Sequence, residues 1–415
     1  MTFSFISRPK IVLLCIVFFS LILSAKLFVV QVLRGEAYSE LADRQYVTPL
    51  ENIYERGTIF FQSRDKGGKG GQLIAAATQT TGFKLAINPS KISDAESVFQ
   101  KIRNVVDISR GDFMDKAGKV NDPYEEIANH VSKEKADAVS SLKIPGVSIF
   151  KEKWRFYPGG SLASHVLGLV GYKDAELGGR YGLERTYNDE LLRTNNNLYV
   201  NFFAEVFSDI NKTLFNSEAK EGDVITTIEP TVQSFLEKKL AEVREKYQID
   251  SIGGIIMDPA DGSIYAMGGK PDFDPNDFSK VKNNAVFSNP FVENVLEFGS
   301  VVKPLVMAGA LDAKVLTPDT AYDDRGEVVI ENHKISNFDK RGRGPGTTMQ
   351  DVLNQSLNTG MVFVEQKLGK DRLREYLLSF GIKEKSGIDL PNETSGLVSN
   401  ILNSPREIEY ANAAF

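Results

Sequence analysis

Apolar residues are spread unevenly along the chain, and the longest run stands near the N-terminus. Ile11 to Ala25 carries no charge, and after Lys26 the apolar character resumes at Leu27-Phe28-Val29-Val30 and ends near Leu33. As a helix, 11–33 would be about 34 Å long, enough to cross the ~30 Å core of a bilayer, with Lys26 snorkelling at the outer interface. Two alternatives compete. A cleaved signal peptide has a shorter apolar stretch and small residues at the cut, but Leu23 stands where a small residue is wanted before Ala25. A buried core helix fits the extreme N-terminal position poorly. The pattern predicts an uncleaved membrane anchor over 11–33. Charge does not orient it, because Arg8 and Lys10 face Arg34 and Arg44 across the span.

Residues 34–192 alternate short strand-like and helical runs. The insert Lys66-Gly67-Gly68-Lys69-Gly70-Gly71 reads as a hairpin loop, since it lacks the spacing of a phosphate loop and no helix starts after it. Residues 193–222, rich in Asn, Lys and Asp, read as a linker despite Phe202, Phe203 and Phe207. From Asp223 the signals sharpen. Glu229-Pro230 opens a helix whose apolar stripe is Val232, Phe235, Leu236, Leu240 and Val243. A hairpin follows, with Gly254–Met257 and Ser263–Met267 as strands and Asp258-Pro259-Ala260-Asp261-Gly262 as the turn. Later helices end at glycines, 361–368 before Gly369 and 371–380 before Gly381. Helix, hairpin and then several helices predict an α+β domain rather than a doubly wound sheet.

Composition narrows the function classes. With 42% hydrophobic and 25% charged residues, the 415-residue chain buries real cores and is long enough for two or three domains. Its 49 Lys and Arg against 55 Asp and Glu give a net charge of −6, the wrong sign for gripping nucleic acid by its phosphates. One cysteine, Cys15, forms no internal disulfide and no thiolate zinc site. His130, His165 and His333 are scattered, so no protein-built metal site is expected.

Two short motifs carry the candidate chemistry. Ser300-Val301-Val302-Lys303 fits S-x-x-K, but so do seven other serines: Ser7, Ser63, Ser132, Ser140, Ser148, Ser217 and Ser279. Context selects Ser300. It follows Phe298-Gly299 and leads into an apolar helical run, Val301–Leu311, and Pro304 is tolerated only in a first helical turn. Ser300 then lies at a helix N-terminus, where the dipole favours developing negative charge, with Lys303 one turn on. Such a pair is either a nucleophile with its base or a capping serine beside a solvated lysine. Ser356-Leu357-Asn358 is the chain's S-x-N, 56 residues after Ser300 and between two predicted helices. Its serine can relay a proton and its asparagine can bind an amide. A helix cap or turn is the plain alternative.

With these residues in view, the chain resembles a class B penicillin-binding protein, the bacterial D,D-transpeptidase that cross-links peptidoglycan. S-x-x-K and S-x-N match two of that family's three motifs. The likeness runs almost end to end. Leu27–Leu41 and Arg56-Gly57-Thr58-Ile59 resemble the anchor exit and juxtamembrane Arg-Gly box. Arg155-Phe156-Tyr157-Pro158, His165-Val166-Leu167-Gly168 and Gly182-Leu183-Glu184 resemble the pedestal motifs. Thr227-Ile228-Glu229, Met257-Asp258-Pro259 with Gly262, Asn358-Thr359-Gly360 and Gly387-Ile388-Asp389-Leu390-Pro391 are similar to stretches of the transpeptidase domain. The resemblance implies an α+β protein: a cytoplasmic tail over 1–10, a single transmembrane helix over 11–33, an elongated pedestal of the dimerisation type with linker over 34–222, and a partial serine transpeptidase, β-lactamase-like domain over 223–415.

It also implies roles. Ser300 attacks the penultimate D-Ala carbonyl of a stem peptide, Lys303 is the general base, Ser356 helps protonate the departing D-Ala, and Asn358 holds the donor strand's amide. No cofactor is implied. The implied partners are stem peptides, β-lactams and a membrane glycan polymerase of the division or elongation machinery, with room for a homodimer. The implied location is the bacterial cytoplasmic membrane, single-pass, with the catalytic domain outside the cytoplasm. A β-lactam sensor and a catalytically dead scaffold are the competing classes. Departures from the family are Phe61-Gln62-Ser63 at a structural turn, Phe298 where proline is usual, and the third motif. Lys385-Ser386-Gly387 resembles Lys-Thr/Ser-Gly but comes only 27 residues after Asn358, so it reads as a decoy. The third motif is expected beyond Phe415, which makes this a C-terminally truncated copy of nearly no activity.

Overall fold

The computed structural model describes residues 17–24, 26, 55–64, 70–173, 176–192, 222–404 and 406–415. Most of the expected anchor over 11–33, the stretch Leu27–Leu41, the loop residues Lys66–Lys69 and the linker up to 221 lie outside the described residues. Residues 17–24 and 26 are helical and exposed. No helix among the described residues is long and apolar enough to cross a membrane. The described chain forms two compact units, Met1–Pro158 with Asp189–Thr226, and Gly159–Asn188 with Thr227–Phe415. His165 and Gly182-Leu183-Glu184, read from sequence as pedestal, thus cluster with the second unit.

The first unit is built on one long strand, Gly70–Ile87, which pairs antiparallel with Ile59–Arg64, Glu125–Val131 and Val147–Phe156. Arg64 pairs with Gly70, so the glycine-rich insert joins two strands of a hairpin. Val224–Ile225 adds a short parallel strand beside Ile59 and Phe60. Leu85, Ile87, Phe99, Ile102, Phe113, Ile127 and Val139 form the core between sheet and helices. Those helices start where side chains cap free N–H groups: Asp94 accepts from Ser97 N, Ser109 from Asp112 N and Ser132 from Lys135 N. Ser132, one of the competing S-x-x-K serines, thereby has an ordinary structural use. The Arg-Gly box is a point of close packing. A Cβ on Gly57 would lie 1.8 Å from Gly222 O, and Arg155 Nη1 donates to Gly57 O at 2.7 Å.

In the second unit, Ile252–Met257 pairs antiparallel with Ile264–Lys270 as the sequence predicts. Asp258 holds the turn, accepting from Ala260 N at 2.9 Å and from the Tyr265 hydroxyl at 2.6 Å. Glu229 caps the Pro230–Tyr247 helix, accepting from Val232 N at 2.7 Å. The expected stripe on that helix is only partly buried. Leu240 packs inward, whereas Phe235 is 60% and Val243 38% exposed. The inward row instead includes Gln233, fully buried because its amide bonds both Met267 N, at 2.9 Å, and Met267 O, at 3.0 Å. Further on, the helices Lys303–Asp312, Asn358–Leu368 and Lys370–Ser379 surround a core of Val306, Met307, Ala310, Met361, Val364, Leu373 and Leu377. Between the first two lie the antiparallel pairs Ala321–Asp324 with Gly344–Thr348 and Glu327–Ile330 with His333–Ser336, which the sequence patterning did not reveal.

Candidate active site

The site grows from two breaks in helical structure. Gly299 takes φ +58°, a conformation that favours glycine, and its Cβ position is otherwise empty space. A 3-10 turn over Gly299–Val301 follows, closed by Val302 N donating to Gly299 O at 3.0 Å. The α-helix proper begins at Lys303, two residues later than the apolar run suggests, with Pro304 in its first turn. Ser300 therefore sits exposed in the 3-10 turn, while Lys303, at 2% exposure, is among the largest fully buried side chains. No hydrogen bond joins the Ser300 hydroxyl to Lys303 among the described residues.

The second break separates the helices Met349–Asn354 and Asn358–Leu368. Ser356 adopts φ +52°, unusual for a residue with a Cβ, and this turns both its carbonyl and its hydroxyl toward Lys303. Lys303 Nζ donates to Ser356 O at 2.8 Å, Ser356 Oγ at 3.0 Å and Asn358 Oδ1 at 2.7 Å. Burial lowers the lysine's pKa to about 8. Asn358 Nδ2 in turn donates to Ser336 O at 3.0 Å. An ammonium only donates and a carbonyl only accepts, so the orientation of the Asn358 amide is fixed by its two partners. Two motifs 53 to 55 residues apart thus meet at one nitrogen.

Lys385-Ser386-Gly387 does not join them. It is exposed, irregular chain, with Ser386 N and Oγ both donating to Glu393 Oε1 at 2.6 Å and Gly387 N donating to Glu393 Oε2 at 3.1 Å.

Behind Asn358 lies a polar cluster that sequence reading missed. Asp324, Asn337 and Thr359 are 1%, 2% and 6% exposed. The Thr359 hydroxyl donates to Asp324 Oδ1 at 2.8 Å, and Asn337 Nδ2 lies 3.0 and 3.1 Å from the two Asp324 oxygens. Burial alone would raise the Asp324 pKa, but its hydrogen-bond donors outweigh that and hold it below the usual carboxylate range. The available signal was Thr359, directly after the S-x-N motif.

Comparison with known proteins bears on the same residues. Residues 252–414 match the model of the penicillin binding protein transpeptidase domain, and 55–227 match that of the penicillin-binding protein dimerisation domain. The chain belongs to the class B penicillin-binding proteins. It is 29% identical to stage V sporulation protein D of Bacillus subtilis, over 98% of this chain and 62% of that protein. It is 24% identical to the peptidoglycan D,D-transpeptidase MrdA of Acinetobacter baumannii, over 94% of this chain and 60% of the relative, and 25% identical to MrdA of Escherichia coli, over 94% and 65%. The chain therefore spans about three fifths of the length of these curated relatives. Ser300, Lys303, Ser356 and Asn358 all fall within the transpeptidase match.

Proposed function

We propose that the protein is a serine D,D-transpeptidase that cross-links peptidoglycan stem peptides. The observation that carries this reading is the buried Lys303, with its pKa lowered to about 8, bonded to both Ser356 and Asn358 and one turn from the exposed Ser300. At pH 7 about a tenth of such amines are neutral, against fewer than about one in a thousand at a lysine's ordinary value. A neutral amine keeps two N–H donors, which suit the acceptor-only Ser356 O and Asn358 Oδ1, and its lone pair is left for a hydroxyl. Ser300 Oγ attacks the carbonyl of the penultimate D-Ala while Lys303 takes its proton. The tetrahedral intermediate collapses to an acyl-serine as the terminal D-Ala leaves, protonated through the Ser356 hydroxyl. An amine of a neighbouring stem peptide attacks the ester, forms the cross-linking amide and returns Ser300 to its hydroxyl. Asn358 holds the donor strand's amide. β-Lactams acylate the same serine. A third motif, Lys-Thr/Ser-Gly on a strand lining the site, would complete the oxyanion hole.

The same reading places the catalytic domain outside the cytoplasm on a single-pass anchor over 11–33, working beside a membrane glycan polymerase, with pairing through the dimerisation domain as a further association. A domain order of anchor, pedestal over 34–222 and transpeptidase region over 223–415 belongs to it. The test is fluorescent penicillin on the protein as its gene encodes it. Ser300→Ala should abolish labelling, and Lys303→Ala should slow it by about 10²–10⁴-fold. Undiminished labelling of Ser300→Ala would remove the nucleophile assignment.

A further inference from the structure

We propose that Asp324 is a positioning residue for this site, holding Asn358 so that its carbonyl oxygen faces Lys303. The inference rests on the acyl-transfer reading above.

Asp324 closes the Ala321–Asp324 strand and is followed by a turn at Arg325-Gly326. Its Oδ1 accepts from Gly326 N at 3.0 Å, Asn337 Nδ2 at 3.0 Å and Thr359 Oγ1 at 2.8 Å. Its Oδ2 accepts from Asn337 Nδ2 at 3.1 Å and Arg343 N at 3.0 Å. Four donors from four stretches of chain thus converge on one carboxylate. A buried carboxylate is a poorer stabiliser than an apolar side chain of its size, so packing alone does not account for it. What a carboxylate offers is lone pairs enough to collect several donors at once.

The consequence reaches Asn358 from both sides. Asn337, oriented by Asp324 through Nδ2, presents its Oδ1 to Thr359 N at 3.2 Å and lies within 3.0 Å of Thr359 Oγ1. Thr359 follows Asn358 directly, and Ser336, which accepts from Asn358 Nδ2, directly precedes Asn337. The Tyr322 hydroxyl, 3.1 Å from Thr359 Oγ1, completes the cluster. With Asn358 Nδ2 committed to Ser336 O, Oδ1 is the atom left for Lys303.

The direction of the effect follows from the acceptors around Lys303. Asn358 Oδ1 favours the ammonium form, so letting it swing away moves the lysine's midpoint further below about 8. The experiment follows the 13Cε shift of Lys303 against pH in the full chain in detergent, with Lys303→Arg assigning the signal. Asp324→Asn, which puts a donor among donors, should lower the midpoint by about 0.5–1 unit and slow penicillin acylation at a given pH by about tenfold. Thr359→Val keeps the carboxylate and its charge, so a shift there reports lost positioning alone, and Thr359→Ser should restore the wild-type midpoint. An unchanged midpoint in a cooperatively folding Asp324→Asn protein would reduce Asp324 to a fold-stabilising residue. Should Asp324→Asn fail to fold, Thr359→Val and Thr359→Ser decide, and identical wild-type midpoints in both overturn the proposal. A wild-type protein that takes up no penicillin at Ser300 would defeat the functional reading, while the Lys303 titration would still test Asp324.

Discussion

Burial gives single residues in this protein unusual proton affinities, and Lys303 is not the only case. Glu365 lies in the Asn358–Leu368 helix at 0% exposure, with no hydrogen-bond partner among the described residues for either carboxylate oxygen. Burial first, and the nearby Glu407 second, raise its pKa to about 7. Between the usual glutamate range and about pH 7 the native state therefore holds a proton that the unfolded chain has released, so stability falls as pH rises through that window. Glu365→Gln should remove this slope. Its melting temperature should exceed the wild type's at pH 8, by roughly 2–4 °C for each ~1 kcal/mol relieved, and the gap should close toward pH 4. A gap independent of pH, followed by calorimetry, would show that Glu365 does not titrate there. Such residues mark the limit of sequence reading. Ser300, Lys303, Ser356 and Asn358 stood out by motif and spacing, and the last three meet. Asp324, Asn337 and Glu365 did not, because an Asp, Asn or Glu looks the same in sequence whether solvated or buried.

Local signals located elements better than they located faces. The Ile252–Met257 hairpin and the glycine-ended helices follow from turn chemistry and period, within a few residues of their observed bounds. The Pro230–Tyr247 stripe did not follow, since Gln233 takes an inward place through hydrogen bonds that hydropathy cannot register. The small strand pairs between Ala321 and Thr348 escaped because each strand is only four or five residues long and pairs without a strong apolar alternation. At the second of the two breaks in helical structure, two helices approach through a glycine. A Cβ on Gly360 would lie 2.3 Å from Val352 Cγ2 and 2.8 Å from Val352 Cγ1. Gly360→Ala should cost about 1–3 kcal/mol by overpacking the contact between the Met349–Asn354 and Asn358–Leu368 helices. Val352→Ala in the same chain should recover part of that loss, so the two substitutions should be non-additive in urea unfolding. Strict additivity would mean that the helices part freely at this contact.

Across the whole molecule, sequence resemblance foresaw the two matched domains, while contact between distant segments was legible only in the fold. The His165 and Gly182-Leu183-Glu184 motifs lie before the linker, yet their segment belongs to the second compact unit. The buried Asn289 explains part of this, donating from Nδ2 to His165 O at 3.2 Å across 124 residues of sequence. In the proposed reaction Ser300 carries a stem peptide as an acyl ester, a step that a sensor merely trapping β-lactams would not perform. The direct measurement presents a stem peptide ending in D-Ala-D-Ala to the protein as its gene encodes it, then follows D-Ala release and the mass of the Ser300 peptide. The expected result is release of D-Ala, an acyl adduct on Ser300, and loss of both in Ser300→Ala. Penicillin adducts on Ser300 without any D-Ala release would contradict it.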